Sequence, residues 1–174
     1  MRCSRCFGML LLSVGLAAVG FLPAPAQASH ASGGGTYFVE PGLLSEFQFT
    51  PSHVQCKVGH TVLGDGTVFQ MWMFSTSVDS VSIDSDAGTV TLTGTMVSMV
   101  TLHFLDGTTA HLSETVPYTA YGEDNGTPGA GTDYFSLSVV YTPTAGLDQA
   151  DLFGADATFK PFSGSIATGD VQVR

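Results

Sequence analysis

The sequence predicts an all-β protein, an antiparallel β-sandwich or barrel of about nine or ten short strands. Three observations lead there. Apolar and polar residues alternate with period 2 in segment after segment. The segments are separated by clusters of Gly, Asp, Pro and Thr. Nowhere do apolar residues recur at helical spacing over a sustained stretch. With 21 glycines and only 11% charged residues in 174, the chain is neither a Glu- and Lys-rich helical bundle nor a disordered acidic chain. Three cysteines are too few for a disulfide framework.

In chain order, Arg2 and Arg5 precede an apolar run from Phe7 to Leu22, which ends in Pro23-Ala24-Pro25-Ala26-Gln27-Ala28. A basic start, a short apolar stretch and an Ala-x-Ala end predict a secretory signal peptide over residues 1–28, cut before Ser29. The run is short for a membrane span and is interrupted by glycines, so no span is expected after cleavage. The Cys3 and Cys6 pair lies inside this segment and leaves with it. The expected location is extracellular or periplasmic. Residues 29–36 read as a flexible lead-in and residues 37–174 as a single all-β domain. The cleaved chain keeps all 15 acidic residues and, of the basic ones, only Lys57, Lys160 and Arg174, a net charge of −12. Such a surface repels phosphate backbones and anionic lipid, which excludes nucleic acid as a partner.

The strands follow. Leu44 to Thr50 puts Phe47 and Phe49 on one face, and Val54, Cys56 and Val58 alternate with Gln55 and Lys57. Val68 to Phe74 is apolar on both faces, as a central strand is. Val81 and Ile83, then Val90, Leu92 and Met96, alternate with Ser and Thr about a turn at Asp84 to Gly88. Val100 to Phe104 and Ala110 to Tyr121 flank Asp106-Gly107. Phe135, Leu137, Val139 and Tyr141 alternate with Ser136 and Ser138, Gly146 to Leu152 has room for one helical turn, and Ile166, Val171 and Val173 close the chain. At Asp106-Gly107 a three-residue or bulged loop with Leu105 opposite Thr109 aligns Leu102 with Leu112 and His103 with His111, keeping one face apolar.

The stretch Asp124-Asn125-Gly126-Thr127-Pro128-Gly129-Ala130-Gly131-Thr132-Asp133-Tyr134-Phe135, with Val116-Pro117-Tyr118-Thr119 before it and Gly164 to Val173 after it, resembles the post-COAP domain family of secreted bacterial proteins. The specific part of the resemblance covers residues 116–174. Thr132 stands as an extra residue in the loop, and Gln48 stands where the family tends to have Gly. The resemblance implies a secreted all-β domain from a bacterium, and it brings no catalytic residues with it.

Candidate sites carry two readings each. Glu123, Asp124, Asn125 and Asp133 offer hard oxygen ligands between glycines. Calcium held by Asp124, Asn125 and Asp133 is one reading, and turn-capping carboxylates with left-handed glycines the other. Asp79, Asp84 and Asp86, and again Asp148, Asp151 and Asp156, are cation loops or solvated turns. His103 and His111 are a transition-metal pair or an exposed cross-strand pair. Cys56 alternates in step with Val54 and Val58 and is a reduced core thiol or the site of an intermolecular disulfide. Trp72, with Phe69, Met71, Met73 and Phe74, lines a ligand cavity or builds an aromatic core. Tyr118, Tyr121, Tyr134 and Tyr141 form a sugar platform or lie half-buried. No nucleophile elbow, phosphate loop or dinucleotide fingerprint occurs. The expected function is that of a secreted, non-enzymatic β domain, an extracellular structural or binding accessory module. A small-molecule or carbohydrate-binding barrel comes second and a secreted barrel enzyme third.

Overall fold

The computed structural model describes residues 30–40, 43–62, 65–126, 131–142, 149, 152 and 158–174. Nine antiparallel strands form one curled sheet: β1 (Ala31–Glu40), β2 (Leu43–Thr50), β3 (His53–Val62), β4 (Val68–Asp84), β5 (Thr89–His103), β6 (Thr109–Glu123), β7 (Tyr134–Val140), β8 (Thr158–Ser165) and β9 (Thr168–Val173). Strands β1 to β8 pair in sequence order as an up-and-down meander, and β9 pairs with β1. The expected signal peptide and the Asp148, Asp151 and Asp156 set lie outside the described residues. Of the connection between β7 and β8, Gln149 and Leu152 are described, and both are helical.

The two ends of the strand order are consecutive in the chain. Only Ile166 and Ala167 separate β8 from β9. Ile166 N–H donates to Asp133 O on the β7 side at 2.9 Å, and Ala167 N–H donates to Thr36 O on β1 at 2.7 Å. One bent segment thus changes partner at its middle and draws the sheet round into a barrel-like curl. Just past the last β1–β9 pair, the Tyr37 hydroxyl accepts the Ser163 N–H, so a side chain joins β1 to β8 where no ladder pairs them among the described residues.

Residues 31–36, expected in a flexible lead-in, instead form the first part of β1, paired on both sides. The glycines there serve close packing. A Cβ on Gly33 would stand 2.5 Å from the Phe49 ring, and one on Gly35 would strike the Thr168 carbonyl. Glycine in a strand marks such close approach as well as flexibility, and composition alone does not separate the two.

The alternation read from sequence is borne out in the core. Phe47, Phe49, Val54, Cys56, Met71, Met73, Leu92, Met96, Phe135 and Leu137 all point inward into one apolar cluster. The Phe47 and Phe135 rings stack at 4.1 Å, and Phe49 lies 5.8 Å from Phe135. Segments read as separate short strands run together: β4 has 17 residues and β5 has 15. No turn residue breaks them, and Gly94 stays inside β5 because a Cβ there would strike the Ser77 carbonyl. Two bulges, at Ser75/Ser77 and Val78/Ser80, bend β4 instead.

The β5–β6 hairpin has a three-residue loop, as expected, but one position earlier. Phe104 N–H donates to Thr108 O at 3.0 Å, with Leu105, Asp106 and Gly107 between. Gly107 takes φ 83°, the left-handed residue that follows a type I turn in such loops. The Thr108 hydroxyl and N–H both donate to Asp106 Oδ1, which holds that carboxyl below the usual carboxylate range. The register therefore slips by two residues from expectation. His103 faces Thr109 and Thr101 faces His111. A two-residue slip keeps every side chain on its face, which is why the apolar pattern could not detect it.

Candidate functional site

Trp72 sits in the middle of β4 between Met71 and Met73. Both methionines are buried, so alternation turns Trp72 to the outside, and 45% of it is exposed. The expectation that Trp72 joins Met71 and Met73 round an interior cavity or core is thereby corrected. An apolar run on both faces here means an outward aromatic surface. The Phe74 ring, two residues on, packs at 5.4 Å with a 53° tilt and supports the indole from the side.

Around Trp72 the outer face forms a cleft of about 620 Å³, within the size range of small-ligand sites. Strand register builds it. Glu46, Lys57, Trp72, Met99 and Ser113 stand in one row across β2 to β6. A neighbouring row carries Gln70, Thr101 and His111, and Gln55 flanks the other side. Val58, Met71 and Val100, with side chains buried on the opposite face, close the floor. His111 Nδ1 lies 3.2 Å from Thr101 Oγ1. One indole face and one thioether thus lie among amides, hydroxyls, an imidazole, and one charge of each sign.

The acidic loop is a clasp. Asp133 is fully buried; its Oδ1 accepts Asn125 N–H at 2.8 Å and its Oδ2 accepts Val171 N–H at 2.7 Å. Asp124 accepts Gly126 N–H and Val173 N–H. Asn125 Nδ2 donates to Thr132 O at 3.0 Å. The N–H groups of Val171 and Val173 belong to the edge of β9 turned away from β1, and the two carboxylates satisfy them in place of a strand. Among the described residues, no three His, Cys, Asp or Glu side chains gather as a metal set. Asp84 caps its own turn, accepting the N–H groups of Asp86 and Ala87. His103 and His111 both lie on the exposed outer face, each beside a threonine hydroxyl.

The tyrosines divide between the faces. Tyr118 and Tyr141 are buried, while Tyr121 and Tyr134 meet edge to face on the outside at 6.2 Å. Sequence reasoning missed an interior polar cluster. Ser98 Oγ donates to Gln149 Oε1 at 2.6 Å and lies 3.0 Å from Tyr141 OH. Gln149 Nε2 donates to Ser98 O, and its backbone N–H donates to Glu114. Burial pushes the Tyr141 phenol up to about 12, with Glu114 adding to the effect and the Ser98 hydrogen bond opposing it. The cluster pins Gln149 to the sheet interior. Ser98 was legible as a polar residue at an inward position of β5; its partner, 51 residues on, was not. Cys56 is buried, and desolvation holds its thiol well above the ordinary range.

Comparison of the chain with family models, with curated proteins and with solved structures returned no match.

Proposed function

We propose that the chain is a secreted, non-enzymatic β module that holds an extracellular ligand in the outer-face cleft at Trp72. The observation that carries this reading is a half-exposed tryptophan set in a concave surface among polar side chains. Large aromatics left in water at a concave site are costly and are characteristic of recognition surfaces. The signal-like residues 1–28, the net negative charge and the resemblance to secreted bacterial domains support the address. Inside the sheet, Ser98, Tyr141, Gln149 and Asp133 are engaged in hydrogen bonds that hold the chain together, which favours a binding role over catalysis.

Two measurements test this. Expression of the full-length chain in a bacterial host, followed by N-terminal sequencing of the exported product, is expected to find Ser29 first. A product retained in the cytoplasm with Met1 intact would overturn the secretory reading. The exported protein is then pelleted with insoluble cell-envelope and matrix material. Retention that Trp72→Ala abolishes, with the material left chemically unchanged, is the expected result.

A further inference from the structure

We infer that the ligand of the Trp72 cleft is a neutral glycan, with one pyranose ring stacked on the Trp72 indole. The inference rests on the cleft being the binding site proposed above, and it adds the ligand's chemical class.

Four features point to it. The first is the platform. A pyranose presents a face of C–H groups that packs on an aromatic ring, and the exposed indole offers one such face, braced by Phe74 at 5.4 Å. The second is the rim. Side chains on neighbouring strands stand about 4.8 Å apart, and same-face positions along a strand about 6.8 Å. Around Trp72 that grid holds Gln55, Gln70, Thr101, His111 and Ser113. Amides, hydroxyls and imidazole both donate and accept, as the hydroxyls spaced round a sugar ring require. The third is charge. Lys57 and Glu46 stand directly opposite each other on adjacent strands, so the cleft carries one charge of each sign. The chain as a whole is strongly acidic. A sulfated, phosphorylated or uronic polymer would meet repulsion, whereas a neutral chain meets none.

The fourth feature separates a glycan from a protein partner. Protein interfaces centre on a contiguous apolar core. The exposed large hydrophobics among the described residues are Val62, Trp72, Val81 and Leu105, and of these only Trp72 lines the cleft. A single exposed aromatic platform, flanked by Met99 and rimmed by side chains that end in polar groups, matches a ring-sized apolar face.

Trp72 is the only tryptophan of the chain, so its fluorescence reports on this site alone. The experiment titrates the exported protein with cellohexaose, maltohexaose, N-acetylchitohexaose and, as an anionic control, hexagalacturonic acid. The expected result is a saturable change in Trp72 emission, with protection from acrylamide quenching, by at least one neutral hexasaccharide and none by the anionic one. Isothermal titration with Trp72→Ala is expected to give an affinity weaker by roughly tenfold or more, and Trp72→Phe to recover part of it. Circular dichroism of both variants establishes that they fold, and a failure of Trp72→Ala to fold leaves Trp72→Phe and the quenching data to decide. Silence with every neutral sugar, while Trp72-dependent retention on envelope material persists and is destroyed by protease, overturns the glycan and leaves a protein ligand. Retention and fluorescence both indifferent to Trp72 overturn the glycan and the cleft together.

Discussion

Individual side chains set how this protein responds to pH. Tyr141 is raised to about 12 by burial, Tyr121 to about 12 chiefly through its hydrogen bond to Glu123, and Tyr37 and Tyr118 are raised by burial. A phenol whose pKa is higher in the folded chain stabilises the fold fully below its unfolded value near 10. That contribution is lost as pH rises through the folded value. Thermal unfolding is therefore expected to show a melting temperature that falls steeply between pH 10 and pH 12. Ultraviolet titration of tyrosinate should show ionisation delayed in the native protein and released by denaturant. Ser45 has the opposite character. Its hydroxyl is buried and finds no hydrogen-bond partner among the described residues. Replacing an unsatisfied hydroxyl by a hydrogen removes a desolvation penalty of about 1–3 kcal/mol. Ser45→Ala is expected to leave stability unchanged or raise it in chemical denaturation, where a core serine with partners would lose stability.

At the scale of elements, the acidic loop and the edge of β4 show how the sheet manages unpaired backbone. Asp133 and Asp124 receive N–H groups of β9 that have no strand to pair with. Asp133→Asn keeps the shape but turns one acceptor into a donor facing an N–H. It is expected to cost about 1–3 kcal/mol, read by urea denaturation. Calcium remains a separable proposal for Asp124, Asn125 and Asp133. Melting the protein in calcium and in chelator should give the same midpoint if the clasp is complete without metal, and a higher midpoint in calcium if a cation also binds. On the other side of the sheet, the β3–β4 pairing ends at Gln55 and Phe74. Beyond it, β4 pairs with β5 alone among the described strands, and this stretch holds two bulges with Asp79 and Asp84. Bulges and charges are the usual protection of an open strand edge.

These elements also show what could be read from residues alone. Inward and outward faces were legible almost throughout, because alternation is imposed by the pleat: Phe47, Phe49, Cys56 and Leu137 are buried as their spacing requires. β2, β3, β6, β7 and β9 followed from the same pattern, whereas β4 and β5 were each read as two segments and β1 and β8 were not read as strands. The identity of the Gly33 to Gly35 stretch was not legible, since its reason lies in Phe49 and Thr168. Nor was the direction of Trp72 fixed in a run that is apolar on both sides. The β5–β6 register escaped because a slip of two residues leaves the alternation intact. The acidic residues of the loop could be picked out as a group. Their partners Val171 and Val173 could not, because the join between the last strand and this loop is a property of closure.

The described strands are held shut by a seam between the earliest and the latest of them, where residue 30 lies beside residue 174. His30 N–H donates to Arg174 O at 2.7 Å, and Arg174 N–H donates back to His30 O at 2.8 Å. A short linker would therefore join residue 174 to residue 30 as an ordinary hairpin, and the exposed Asp106-Gly107 turn offers a place for new termini. In such a circular permutant the short β1–β9 pairing becomes local, while the longer β5–β6 pairing becomes the most distant in the sequence. Because folding slows as the sequence separation of contacts grows, the permutant is expected to keep the native circular dichroism spectrum and refold more slowly than the parent in stopped-flow measurements. The natural order of the strands would then be the one that keeps the long hairpins local and leaves a short seam to close last.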